Sequence, residues 1–270
     1  MTKRLFSAPF IAFMICGTLI PACVIAYYGL TDRSGAFTMA NVIAIASGEH
    51  AKALGLSLLL AFASTVICLL LAFPLGLALK DSRLGKKGFM VFVFILPMWM
   101  NFLLRTMAWQ VLLEKNGIIN GMLTAIGLPS LNIINTSAAV ILGMVYDYLP
   151  FMILPIYNAL IKIDSSLIEA AYDLGASKSL VLRKVIVPLS VPGIVSGVTM
   201  VFVPSLTTFA ISNMLGGGKV NLIGNIIEQE FTASSNWNLG SGLSLVMMIF
   251  IVISMALIEK FDRNGEGNMI

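Results

Sequence analysis

LGLSLLLAFASTVICLLLAFPLGLAL, residues 54–79, runs for 26 residues without a charged side chain. An α-helix rises about 1.5 Å per residue, so roughly 20 apolar residues cross the hydrocarbon core of a bilayer. The stretch therefore reads as a transmembrane helix. Pro74 inside it is no objection, because neighbouring helices in a membrane satisfy the backbone groups that a proline frees. Working outward, five more segments meet the same test: about 6–30, 88–109, 137–161, 190–212 and 239–258. Pro97, Pro150, Pro155 and Pro204 within them argue against a soluble bundle in the same way. The expectation is an all-α polytopic membrane protein of about six transmembrane helices, a single transmembrane domain over residues 1–270.

Composition agrees. Of the 270 residues, 58% are hydrophobic and 11% charged, and the mean hydropathy is +0.95. A soluble domain carries about 25% charged residues. A chain this poor in charge cannot cover a water-facing surface, so its exterior must face lipid. The net charge of +4 comes from short loops between apolar spans, not from one face of a soluble fold, and gives no nucleic-acid footprint. Cys16, Cys23 and Cys68 all fall in apolar segments and read as small hydrophobes. With His50 the single histidine and no Cys/His cluster, no zinc site is expected.

Lys3 and Arg4 ahead of an apolar run could open a secretory signal, and Ile20-Pro21-Ala22-Cys23 faintly resembles a lipoprotein cleavage site. Proline before the small residue is unsuited to such a site, and the apolar run continues through Tyr28. The segment reads as an uncleaved first helix.

Lysine and arginine set orientation. One side holds Lys3, Arg4, Lys80, Arg83, Lys86, Lys87, Lys162, Lys178, Arg183, Lys184, Lys260 and Arg263; the other holds Arg33, Lys52, Lys115 and Lys219. Twelve against four places the first set, and both termini, in the cytoplasm. The external connections are longer. Mildly amphipathic stretches at 39–53, 118–127 and 222–231 read as short helices near the outer interface.

The cytoplasmic connection between spans four and five, residues 162–188, contains Glu169-Ala170-Ala171-Tyr172-Asp173-Leu174-Gly175 and ends at Val185-Ile186-Val187-Pro188. Its chemistry describes two short helices with a glycine break. Asp164 and Ser165 are suited to cap the first. Gly175 supplies the positive φ that ends it, Ser177 caps the second, and Pro188 marks the approach to span five. Ala170 and Ala171 let another surface come close. A paired-helix knob of this shape docks into a partner.

This loop resembles the EAA loop of ABC importer permeases: E-A-A, three residues, G, nine residues, I, any residue, L-P. Glu169, Ala170, Ala171, Gly175 and Pro188 match in spacing, with Val185 and Val187 as mild apolar replacements. The resemblance implies a type I importer permease fold, with Glu169, Ala170, Ala171, Asp173, Gly175 and Pro188 forming a coupling element that sits in a cleft of an ATP-hydrolysing subunit. No G-x-x-x-x-G-K-[ST] sequence occurs here. ATP and Mg²⁺ then belong to separate partner chains, and this subunit is no enzyme and holds no cofactor. The implied assembly has two ATP-binding subunits, a second similar permease and an extracytoplasmic binding protein, in a bacterial inner membrane.

Further segments are similar to the B-type permeases of spermidine/putrescine importers: Tyr148-Leu149-Pro150-Phe151-Met152, Pro155-Ile156-Tyr157, Leu215-Gly216-Gly217 and Ile223-Gly224-Asn225. That resemblance implies a polyamine cargo. Independently, Asp147 lies about ten residues into span four, where a carboxylate is costly unless it faces a cavity or a partner. A polyamine offers ammonium groups on an apolar chain, which carboxylates pair with and aromatic faces receive. Tyr146 and Tyr148 flank Asp147, and Asn158 lies three turns on, on the same helical face. These residues, with Asn101 and Trp109 on span three, are the candidate substrate pathway. Two roles stay open for Asp147: contact with cargo, or a structural pairing with Arg105 or a partner subunit. For Arg105 the roles are snorkelling, pairing with Asp147, or gating. Trp99 and Trp109 suit a lipid interface equally well. Glu228 and Glu230 read as a solvated interfacial face before a contact for the binding protein. Met247-Met248 reads as packing. Rival readings are an importer for an opine, iron or a thiosulfate-like anion, a secondary transporter or channel, and, remotely, a membrane enzyme. Asp147 weighs against anions, and no internal duplication or catalytic constellation is visible.

Overall fold

The computed structural model describes residues 13–82, 93, 94 and 96–267. Among these the chain is helical, with a single isolated bridge between Thr31 and Phe37. In chain order the principal helices are α1 (Ile15–Gly29), α2 (Gly48–Asp81), α3 (Phe102–Leu113), α4 (Ile118–Ala125) and α5 (Ser137–Ile161). They continue with α6 (Ser165–Asp173), α7 (Lys178–Thr207), α8 (Ala210–Gly216), α9 (Ile223–Thr232) and α10 (Trp237–Gly267). Four of them, α2, α5, α7 and α10, are long and apolar enough to cross a membrane, and α1 is a shorter apolar helix. Large apolar side chains lie exposed on α2 (Leu59, Phe62, Leu70) and α10 (Ile249, Val252, Ile253), as suits a surface solvated by lipid.

Five of the six expected spans coincide with helices. Residues 6–12 of the first and 88–92 with 95 of the third lie outside the described residues, as do Lys3, Arg4, Arg83, Lys86 and Lys87. Two boundaries are corrected. The described part of the third span is no single helix: a 3₁₀ turn at Leu96–Trp99 precedes α3, which starts at Phe102 because the Asn101 side chain caps it, accepting from the Leu103 N–H at 2.8 Å. The fifth span begins earlier than residue 190 and stops earlier than 212: α7 ends at Thr207, Thr208 is extended, and α8 restarts at Ala210.

Proline explains a further correction. The second helix expected in the connection 162–188 is not separate from span five but runs into it as α7, and Pro188 lies inside rather than at a break. Residues Leu182–Ile186 form a π-turn, with the Val187 N–H bonded to the Leu182 carbonyl, one residue before the proline. The same pattern occurs in α1: Ile15–Leu19 is a π-turn, and the Ile20 N–H bonds Ile15 one residue before Pro21. A proline ring collides with the carbonyl four residues earlier and offers no N–H. Widening the preceding turn to an i→i+5 bond removes the conflict and keeps the helix continuous.

The chain groups into two compact units, residues 1–55 with 223–252, and 56–222 with 253–270. In the first, asparagines close the end of α1: Asn238 donates to the carbonyls of Thr31 (2.7 Å) and Tyr28 (3.1 Å), and Asn41 to Thr31 (2.9 Å). These satisfy carbonyls that a helix C-terminus leaves orphaned. In the second, α5 is the central element. It packs on α7 around Met152, Ile153, Ile156 and Val201, and on α8 around Val140, Met144, Ile211 and Leu215. Close approach of α5 and α7 depends on Gly193, where a Cβ would stand 2.6 Å from the Pro155 carbonyl.

Candidate functional site

Two features of the second unit carry chemistry: the connection after α5, and a polar cluster where α3, α5 and the end of α7 meet.

In the connection, the expected caps at Asp164 and Ser177 and the positive φ of Gly175 are found, while Ser165 is the first residue of α6. Asp164 caps α6, its carboxylate accepting from the Ser166 N–H at 3.0 Å. That backbone bond, with the Ser166 hydroxyl, holds the Asp164 carboxyl below the usual carboxylate range. Gly175 adopts φ +82°, and the Ala176 N–H returns to the Ala171 carbonyl at 3.1 Å to close the helix end. Ser177 caps α7, accepting from Leu180 at 3.4 Å. Glu169, Ala170 and Asp173 are exposed and Ala171 is half-buried. Leu167, Tyr172 and, at 88% exposure, Leu174 project as well. A short capped helix that shows an apolar edge and small residues is built to be covered by another surface.

In the cluster, Asp147 on α5 is 2% exposed and Arg105 on α3 is 6% exposed. Arg105 Nη2 lies 3.2 Å from Asp147 Oδ1. The Thr106 hydroxyl donates to Asp147 Oδ2 at 3.0 Å. The Arg105 guanidinium also stands 6.0 Å from the Tyr146 ring, which meets Trp109 edge-on at 5.3 Å. The pair is far from saturated: Arg105 Nε and Nη1 and Asp147 Oδ1 have no hydrogen-bond partner among the described residues. Next to it, Tyr148 donates to the Pro204 carbonyl at 3.4 Å. That carbonyl, in the last turn of α7, also accepts from the Thr207 hydroxyl at 3.5 Å, and the Ser205 hydroxyl is buried there with no hydrogen-bond partner among the described residues.

Of the six pathway residues read from the sequence, Asp147, Tyr146, Tyr148 and Trp109 come together around Arg105. Asn158 and Asn101 do not. Asn158 is exposed and lines a cavity of about 350 Å³ with Lys162, Pro192 and Ser196; although it shares a helical phase with Asp147, Pro150 and Pro155 lie between them. Asn101 is a helix cap. Thr106 and Ser205 escape sequence reading, since nothing in their own neighbourhood announces a partner 41 residues away or a broken helix. Among the described residues no group of His, Cys, Asp or Glu could hold a metal.

The sequence profile of the "Binding-protein-dependent transport system inner membrane component" family matches residues 71–264. The chain belongs to this family. The permease is 35% identical, over 98% of its own length and 96% of the relative's, to the spermidine/putrescine transport system permease protein PotB of Haemophilus influenzae. It is 33% identical to the PotB protein of Escherichia coli, covering 84% of this chain and 83% of that one. Among solved structures, a chain of a bacterial ABC transporter involved in import of the acidic polysaccharide alginate superposes with a TM-score of 0.83, covering 97% and 95% of the two chains at 15% identity. A chain of the inward-facing MetNI methionine ABC transporter gives 0.58 at 20% identity, covering 80% and 95%. At these identities the structures establish the fold. The permease is thus a multi-pass subunit of an ABC importer, a transport protein and not an enzyme.

Proposed function

We propose that this permease moves polyamines, spermidine or putrescine, into the cytoplasm by alternating access driven by a separate ATPase. The observation that carries the cargo is its similarity over nearly the whole chain to PotB of Haemophilus influenzae. The aromatic residues Tyr146, Trp109 and Tyr148 around Asp147 are consistent with a cation that carries an apolar chain. Pairing with Arg105 neutralises Asp147, so the carboxylate alone does not argue against an anionic cargo, and the cargo rests on the relatives.

In this reading residues 1–270 act as one permease domain with both termini in the cytoplasm. The connection 162–188, with Glu169, Ala170, Ala171, Asp173, Gly175 and Pro188, is the cytoplasmic coupling element. Its exposed Leu174 and Tyr172 fit a cleft on an ATP-binding subunit. Two such subunits, a second permease and an extracytoplasmic binding protein complete the assembly, and ATP and Mg²⁺ act in the partners. Affinity purification of the tagged permease tests this. An ATPase chain is expected to come with it, and spermidine or putrescine on the binding protein to stimulate hydrolysis. Stimulation by an opine, iron or thiosulfate in place of either polyamine would contradict the cargo; the absence of any ATPase chain would contradict the machine.

A further inference from the structure

The Arg105–Asp147 pair is unusual in being almost fully buried and yet incompletely bonded. A buried pair repays its desolvation only with good geometry and with further hydrogen bonds to its remaining donors and acceptors. Here the contact is a single one, Nη2 to Oδ1 at 3.2 Å, and it falls outside hydrogen-bond geometry. Arg105 carries five N–H donors and normally grips a carboxylate with two parallel bonds. Two of its three nitrogens have no hydrogen-bond partner among the described residues. Asp147 receives one hydrogen bond, from Thr106, out of about four its two oxygens can accept. A brace selected for rigidity alone would be tighter.

Resting on the polyamine reading, we propose that Arg105 is the exchangeable counter-ion of Asp147: an incoming polyamine ammonium takes the place of the guanidinium on the carboxylate during transport. The exchange keeps Asp147 paired throughout, so its charge is never left bare in the apolar interior, where a lone charge is most costly. Thr106 holds Oδ2, whereas Oδ1, buried against Arg105, receives no hydrogen bond and is the oxygen the ammonium would take. The displaced guanidinium already has a second attraction within reach, the ring of Tyr146, which is 39% exposed and backed by Trp109. Exchange of this kind also sets specificity, since only a cation can relieve Asp147 of Arg105. Asp147 is then the substrate-binding residue, and Arg105 acts through it as a competitor that must be displaced.

Spermidine-dependent uptake and ATP hydrolysis by the assembled transporter in proteoliposomes test the exchange. Arg105→Gln removes the competitor and is expected to lower KM several-fold. Asp147→Asn is expected to raise KM roughly tenfold, with a smaller change in kcat. The double variant Arg105→Gln/Asp147→Asn should keep the raised KM even where yield and melting temperature return to parental values. Parental KM in the double variant would make the pair a structural brace and overturn the inference. So would an unchanged or raised KM in Arg105→Gln. Should that variant fail to assemble, Arg105→Met, which removes the charge while filling the apolar space, is read for the same direction of change and the same contrary results. A parental transporter that answers to neither spermidine nor putrescine overturns the polyamine reading itself, and this inference with it.

Discussion

Asp147 and Arg105 each stand out in the sequence as isolated charges among apolar residues, but their union is a tertiary fact. Nothing local relates residue 105 to residue 147. Removing one partner leaves the other charge bare, and Asp147→Leu is expected to cost about 3–5 kcal/mol of stability. Arg105→Met with Asp147→Leu should recover most of that loss, because two apolar side chains fill the space without any buried charge. Melting in detergent measures both; equal losses in single and double variants would contradict the pairing. Thr106→Val should cost about 1 kcal/mol, the size of a hydrogen bond inside a membrane protein. Asp164 gives a pH signature outside the membrane. Its folded carboxyl titrates below the unfolded value, so its support of α6 is complete above that value and fades as pH falls through the lower, folded one. Hydrogen exchange at Ser166 should accelerate in that acid range. Asp164→Asn, which caps without a charge, should abolish the dependence; exchange equally acid-sensitive in that variant would refute the assignment.

Helix boundaries divide into those the sequence announces and those that packing decides. The caps at Asp164 and Ser177 and the positive φ of Gly175 follow from side-chain chemistry within three residues, and all are legible in the sequence. The continuity of α7 through Pro188 is not, because a proline signals equally well a break or, as here, a π-turn that absorbs it. The interruption at Thr208 escapes hydropathy, which cannot see a change of backbone direction in the uncharged stretch 190–212. Pro188→Ala removes the cause of the π-turn. An ordinary α-turn would rotate residues 178–186 by about 100° against the rest of α7. The expected result is a folded permease whose ATPase coupling is lost; retained coupling would show the π-turn to be incidental. Gly175→Val forces a β-branched residue to φ +82°, a strain of about 1–2 kcal/mol. It should disorder the α6–α7 corner and reduce stimulated hydrolysis, while docking of the polyamine-loaded binding protein to the permease stays intact.

For the molecule as a whole, composition places the chain in lipid, and the resemblance of residues 169–188 to the EAA loop implies an importer permease, the family that the profile match shows. Both follow from properties spread over many residues, whereas the cargo site depends on which few side chains converge. Asn158 and Asn101 show the limit: one shares a helical phase with Asp147 and the other lies one turn from Arg105 along the chain, yet neither reaches the cluster. The exposed edge of α6 and the buried charges between α3 and α5 lie on one continuous stretch of chain, with α5 leading directly from Asp147 to the coupling corner. Under the proposed coupling, that connection is the route by which a motor outside the membrane acts on a site within it. The most direct test is accumulation of radiolabelled spermidine by the complete transporter in sealed vesicles. With ATP on the side of residues 162–188 and binding protein on the other, spermidine should accumulate against its gradient, and Gly175→Val should abolish accumulation. Accumulation without ATP, or accumulation unaffected by that substitution, would contradict the proposed coupling of this permease to its motor.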